Sequence, residues 1–434
     1  MKINRHVILL VAAVVILAGV LTACTLAGVA QLQGKVNNDK TETDVLENAD
    51  TKGINMENGA SYSFGSVVQM KKTVPAENKA SVLLKGYYYP NDGGGGIFYW
   101  DADSVAAPDG GLVIAPNDSE TGRYIRICEN GYRNVKWFGA VGSGSSNDTA
   151  AIKRAVESLP ETGGTLCFPG GTYCITETIN IGNGDGNSVR SDYNGIKLVG
   201  NGGGFGVYGG KEPTVIRATR ALEAMISVNG RISNVTIEGI GLNADSLAKK
   251  CISAKAVNAM TVNRVVCKMF TECGIYLIGG TGSGNENKDC RFESVSSIST
   301  TDGIKCVYID GNSETCRTEN CMFIDCRFDI HTTNSSESCH ITNASGLSFY
   351  RCHFAGYNEA SDYLVLDAEV DGVPESNCFY DCSVNRIKVI ENNGHSIGHN
   401  FFYGYGTYDG ETPPDHPMLH GITDSGLPFR LGGE

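Results

Sequence analysis

The chain has 434 residues, 41% hydrophobic and 19% charged, which is enough apolar material for a core and excludes wholesale disorder. Its 35 Lys and Arg against 48 Asp and Glu give a net charge of −13, so it repels phosphate backbones and nucleic acid is not expected as a partner. Gly is in excess at 55 residues with only 12 Pro and no collagen-like period, which suits a fold of many tight turns.

In chain order, residues 1–30 read as an export signal or membrane anchor. Lys2 and Arg5 precede an uncharged run from Val7 to Ala30. Leu21-Thr22-Ala23-Cys24 resembles a bacterial lipobox, in which Cys24 would carry lipid. The run is also long enough to span a bilayer uncut, and cleavage after Ala30 is a third route. All three place the rest of the chain outside the cytoplasmic membrane, anchored to or released from it. Residues 31–62 are polar, with Asp39, Glu42, Asp44, Glu47 and Asp50, and read as a flexible linker. Residues 63–134 alternate short apolar runs, such as Ile97-Phe98-Tyr99-Trp100, with Gly/Asn/Asp turns, which predicts a small β module. No helix pattern and no Lys-Ser/Thr follow Gly93–Gly96, so that glycine run is a turn and not a phosphate loop.

Asn147-Asp148-Thr149 opens the one clear helix. Ile152, Ala155, Val156 and Leu159 fall at i, i+3, i+4 and i+7 and make one apolar face. Asn147 or Asp148 is the expected N-cap, and Pro160 with Gly163-Gly164 ends the helix.

Beyond the helix the chain repeats a template of two apolar pairs separated by a bend. It reads Val235, Ile237, Ile240, Leu242, then Met260, Val262, Val265, Cys267, and recurs from Cys290, Cys321, Leu347 and Asn377. Copies 25–31 residues long, built of period-2 pieces, predict a β-solenoid, here residues 135–405 with a tail at 406–434. Cys326, Cys352 and Cys382 hold one place in three successive copies, and Cys290 and Cys321 share another. They are expected as internal ladders of small buried side chains. Asn234 and Asn320, just before a copy, suit left-handed turn positions.

Val135-Lys136-Trp137-Phe138-Gly139-Ala140, Asn147-Asp148-Thr149 and Gly163-Gly164-Thr165-Leu166-Cys167-Phe168-Pro169-Gly170-Gly171 resemble the pectate lyase superfamily, in its rhamnogalacturonase/epimerase-like branch. The resemblance covers about 135–400. It implies an all-β, right-handed parallel β-helix capped by a short N-terminal α-helix. The stretch from Gly86-Tyr87-Tyr88-Tyr89 through Trp100 to Gly122-Arg123-Tyr124 resembles the leader module of phage tailspike-type and surface β-helix proteins. By analogy with tailspikes, a trimer is one oligomeric state to consider.

The fold alone does not assign chemistry. Hydrolysis of a glycan needs two carboxyls flanking the bond; elimination needs a base, plus Ca²⁺ or Arg to stabilise the anion. Glu272-Cys273-Gly274-Ile275 and Thr301-Asp302-Gly303-Ile304 align on Gly-Ile, which puts Glu272 and Asp302 just before that strand in neighbouring coils, with Asp310 later in the second coil and Asp329 and His331 in the next. These five are the candidate catalytic residues. Thr301-Asp302-Gly303, Arg386-Ile387-Lys388 and Gly394-His395-Ser396 are similar to short polygalacturonase motifs, though their order differs, which makes Arg386, Lys388 and His395 candidate substrate contacts. His340, His353, His399, His416 and His420 lack metal spacing, are expected at surface or loop positions, and no metal site is expected; Ca²⁺ enters only if the reaction is an elimination. Three functions follow: a surface polysaccharide hydrolase or lyase, a non-catalytic carbohydrate-binding or structural β-helix, and a tailspike-like depolymerase or receptor-binding protein.

Overall fold

The computed structural model describes residues 61–182, 194–202, 213–280, 284–311, 316–331, 336–356, 362–368, 374–384, 386–391, 396–403, 407–408 and 418–420. Three long parallel sheets wind around one core, as the repeat template requires. The first runs from Tyr132–Asn134 to Leu419–His420, the second from Ser143–Asn147 to Thr407–Tyr408, and the third from Ile179–Gly182 to Ile387–Ile390. Successive coils add strands to the three sheets in turn, and three of them add a second, short strand to the third sheet, at Asn287–Lys288, Thr318–Glu319 and Ala344–Ser345. The architecture is the expected all-β, right-handed parallel β-helix.

The template's two halves are the strands of the first and second sheets. Between them sits one bend residue, in the left-handed region in six successive coils: Gly239, Arg264, Ser294, Asp325, Arg351 and Asp381, with φ between 50° and 65°. A non-glycine residue there costs roughly 1–2 kcal/mol. Each bend N–H is bonded to the next coil: Arg264 to Glu293 O at 3.0 Å, Asp325 to Tyr350 O at 2.9 Å, Arg351 to Tyr380 O at 2.8 Å. That bond offsets the cost. Asn234 (φ 60°) and Asn320 (φ 53°) are left-handed at the other corner, as expected.

Inward positions stack coil on coil. Phe292, Phe323, Phe349, Phe379 and Phe402 form a ladder with ring centroids 4.7, 4.7, 4.8 and 4.6 Å apart and planes within 10°. The spacing is that of the strands themselves. Cys326, Cys352 and Cys382 are each about 1% exposed, and every cysteine among the described residues is a free thiol. Burial, reinforced by thiol neighbours above and below, pushes the Cys352 pKa well up. All three side chains pack in the core, and Cys352 is not poised as a thiolate.

The helix Thr149–Glu157 closes the N-terminal end, with Ile152, Ala155 and Val156 buried on the core. Its cap departs from expectation. Asp148 occupies the N-cap position but turns its carboxylate away, accepting from Val141 N at 2.6 Å and from Gly142 N and Cys174 N at 3.3 Å. Asn147 Oδ1 instead accepts from Thr149 N at 3.1 Å. The helix thus keeps its cap while Asp148 ties two strands to the turn before it.

The leader is a five-stranded sheet over Ser61–Phe64, Ser81–Leu84, Gly96–Asp101, Val113–Ile114 and Arg123–Arg126, with its own core around Phe98, Trp100 and Tyr124. Arg126 joins it to the solenoid. Its buried guanidinium donates to Gly94 O, Gly95 O and Gly111 O at 2.7–3.0 Å and lies 4.5 Å from the Phe98 ring and 4.6 Å from that of Trp137. Burial lowers its pKa to about 10, within the charged range at neutral pH.

Candidate functional site

The outer face of the third sheet carries the densest chemistry. Inward residues alternate with outward ones along each strand, so one outward register becomes a column. That column reads Asn180, Ser227, Ser253, Tyr276, Tyr308, His340, Val365, Lys388. Tyr276 and Tyr308 have centroids 5.2 Å apart, and the His340 ring meets Tyr308 edge-on at 5.0 Å. Two residues further along each strand lie Asp310 and Asp367 with Thr342 between them, and Thr342 Oγ1 donates to Asp310 Oδ1 at 3.0 Å.

His340 is the hub. Its Nδ1 lies 2.6 Å from Glu337 Oε2 and its Nε2 3.1 Å from Asp367 Oδ2, and the residue is only 7% exposed. Burial alone would lower its pKa, but the bonds to Asp367 and Glu337 outweigh that and raise it. Burial likewise works to raise the Glu337 pKa, but His340 and Lys305 outweigh it and hold Glu337 below the usual carboxylate range. Lys305 reaches Glu337 at 3.3 Å. Burial, with Asp310 next among the causes, raises the Tyr276 and Tyr308 hydroxyls, so both stay protonated. The face therefore holds the Glu337 carboxylate beside protonated phenols. Toward the N-terminal end it continues into a depression of about 280 Å³ lined by Asn180, Ser227, Asn229, Lys250, Ser253 and Tyr276 among others.

The expected acid row does not form as drawn. The third sheet pairs Ile275 with Val307 and Cys273 with Lys305, so Glu272 stands level with Ile304 and not with Asp302. The Gly-Ile alignment was three residues out of register, because the turn before the later strand is longer. Asp302 is exposed in that turn. Glu272 is exposed and bonded to Lys250 at 2.5 Å, at the edge of the tyrosine column. Asp329 lies on the second sheet, level with Ile298 and Ala355, where it pairs with Arg327 and with His353 Nδ1 at 3.0 Å. His331 follows that strand at the corner, its N–H donating to Ser299 O at 3.1 Å. Asp310 alone of the five joins the His340 cluster. Lys388 shares the tyrosine column, two strands past His340, and Arg386 is exposed just before that strand. His395 and Cys24 lie outside the described residues. His340, expected at the surface, is buried at the centre. Tyr276, Tyr308, Glu337 and Asp367 were missed, although Tyr276, Tyr308 and His340 recur at a constant interval of 32 residues. Among the described residues no three His, Cys, Asp or Glu gather as a cation site.

Residues 63–129 match the family described as phage tail protein small four-stranded beta-sheet domain. Residues 132–357, more than half of the chain, match rhamnogalacturonase A/epimerase, pectate lyase-like. The chain belongs to that second family. It is 25% identical over 191 residues to the Mu-like prophage FluMu defective tail fiber protein of Haemophilus influenzae, covering 40% of this chain and 30% of that protein. It is 33% identical over 128 residues to mannuronan C5-epimerase AlgE3 of Azotobacter vinelandii, covering 29% of this chain and 7% of that one. The chain thus spans less than a third of either relative. Among solved structures it is similar in fold to the tailspike protein gp49 of Acinetobacter baumannii bacteriophage Fri1, a capsular polysaccharide depolymerase. The TM-score is 0.60 at 12% identity, covering 83% of this chain and 68% of that one.

Proposed function

We propose that the protein cleaves a polysaccharide laid along the outer face of the third sheet, at the His340 cluster. One observation carries the reading: protonated Tyr308 and the carboxylates of Glu337, Asp367 and Asp310 share one open face with a polar depression beside it. A sugar offers C–H faces to aromatic rings and hydroxyls to polar groups, and this face supplies both. Tyr308 serves as proton donor to the leaving oxygen. Asp310 or Asp367, two strands apart on the same face, serves as the base that activates the attacking water. In an elimination the same carboxylates take the proton α to a uronate carboxyl, and Lys305 faces the anion. The tailspike neighbour's depolymerase activity and the epimerase relative support a glycan substrate.

The test is a panel of acidic and neutral polysaccharides incubated with residues 61–434, following reducing ends and the absorbance of unsaturated uronates. Reducing ends without absorbance mean hydrolysis; both together mean elimination. Tight binding without either product would leave a carbohydrate-binding β-helix. No product and no binding on any glycan would overturn the reading.

A second reading, a tailspike-like depolymerase or receptor-binding protein, is favoured by the phage tail match over residues 63–129. The export signal favours instead a chain displayed on the bacterial surface through Cys24 or its apolar run. Fractionating cells that express the full chain separates the two: membrane attachment lost in Cys24→Ser supports the lipid anchor, and a chain retained in the cytoplasm supports the phage reading.

A further inference from the structure

The outward column of the third sheet changes size part-way along. From Tyr276 onward it carries the rings of Tyr276, Tyr308 and His340; before Tyr276 it carries Asn180, Ser227 and Ser253. Successive members stand one strand spacing apart, about 4.8 Å. Small side chains in place of rings leave the surface hollow, and that is the origin of the depression of about 280 Å³. Tyr276 is the one ring in its lining and stands at the end nearer His340. The volume suits one small ligand and not a long segment of chain. The lining suits hydroxyl groups. Its two charged members each have a partner outside it, Lys250 with Glu272 at 2.5 Å and Glu223 with Lys249 at 2.6 Å, so their charges are balanced locally. The Lys250 side chain is only 13% exposed and its Nζ lies 5.2 Å from the Tyr276 ring centroid, which fixes it beside that ring. Asn229 Nδ2 donates to Ser227 Oγ at 3.1 Å. Ser253, half-buried between Ser227 and Tyr276, spends its hydroxyl on no other group among the described residues.

We infer that the depression is a remote sugar subsite of this face, which takes one pyranose unit of the glycan by its hydroxyls and sets the shortest chain that is cut efficiently. The inference rests on the cleavage reading above and adds a length requirement to it. Ser253 lies two strand spacings from Tyr308, about 9.6 Å, and three from His340, about 14 Å. A sugar unit in an extended glycan is about as long as one such spacing. With the bond to be broken over Tyr308, the depression receives about the third unit from that bond. Binding energy gained there is used at a distance, to hold the bond against Tyr308 and the carboxylates. A substrate too short to reach the depression therefore loses rate and not affinity alone. On that side the protein cuts inner bonds and spares those near the chain end.

The experiment uses the full chain in detergent and ladders from disaccharide to octasaccharide, made by partial acid hydrolysis of each polysaccharide in the panel. It reads kcat/KM against length, and Kd by calorimetry for any ladder that is bound without being cut. Wild type is expected to show a step of about tenfold where the substrate first reaches the depression, the worth of one or two hydrogen bonds. Ser253→Phe fills the hollow with a ring and should collapse the ratio of long to short substrates toward one. Ser227→Phe, from the neighbouring strand, should do the same. The ratio is taken within each variant, so a loss of folded protein cancels from it. A length dependence without a step in wild type overturns the inference, as does a step that survives both substitutions; either result leaves cleavage at the His340 cluster standing. A chain that neither cuts nor binds any ladder fails the cleavage reading itself, and the subsite falls with it.

Discussion

His340 and Asp367 face each other across adjacent coils, Nε2 to Oδ2 at 3.1 Å, with Glu337 bonded to the opposite ring nitrogen. An imidazole gripped by carboxylates at both nitrogens donates from both and is held as the cation. It therefore fixes two bases in place and does not serve as one.

The clamp has a pH window. The raised His340 pKa contributes stability fully below its unfolded value near 6.5 and loses it as pH rises through the folded value. The lowered Glu337 pKa contributes fully above its unfolded value near 4.5 and loses it as pH falls through the folded value. The clamp is strongest between those two values. Melting of wild type should fall as pH rises above neutrality. His340→Gln should cost about 3 kcal/mol at pH 6 and show a flatter profile. Equal slopes for the two proteins would show that the clamp does not titrate as described.

Tyr308→Phe keeps the ring against Tyr276 and His340 and removes only the hydroxyl. Cleavage should drop at least a hundredfold with unchanged melting, as for a lost general acid. Asp302→Asn, in the exposed turn, should leave the rate near wild type. Rates measured on one glycan decide both, and the reverse pattern would move the site to the turn.

Cys352 fills the middle of a thiol column. Cys352→Ala should cost on the order of 1–3 kcal/mol in urea unfolding, through the cavity left among packed neighbours. Thiol-reactive dye should label the buried column in the native protein far more slowly than in urea, because the thiols are inaccessible and Cys352 is in addition held protonated.

Arg126 is satisfied by three carbonyls and stacked on two rings. Arg126→Met keeps the stem and strands those carbonyls, at a cost on the order of 3 kcal/mol. Calorimetry should then show the leader melting ahead of the solenoid, where wild type melts in one transition.

The fold was legible because its template is local. From Thr236 to Val384 the bend between the first and second sheets keeps one length, so Ile237, Val262, Phe292, Phe323, Phe349 and Phe379 announce the coil directly. The site was less so. It sits on the third sheet, whose distance from the template changes with each turn, so Gly274-Ile275 and Gly303-Ile304 look equivalent and are not. Tyr276, Tyr308 and His340 keep a strict interval, but nothing local marks them as neighbours. Asp367 and Glu337 become partners only through His340, a residue whose polarity argued for the surface.

The uniform bend has a further effect. From Thr236–Glu238 to Ser383–Val384, strand ends on the first and second sheets are separated by one fixed corner, as in Arg291–Glu293 to Ser296–Ser299 and Met322–Ile324 to Arg327–Ile330. A residue inserted within the strand that follows, Ser296–Ser299 or Arg327–Ile330, would turn that strand's inward residues beyond it to the outer face. The stretches that lead into the third sheet, before Cys273–Ile278, Lys305–Asp310, Glu337–Ile341 and Ile387–Ile390, already differ in length. Sequence drift is thereby channelled to the margins of the face that carries Tyr308 and His340. Length can change there without disturbing the stacked core, whose fixed corner leaves no such freedom.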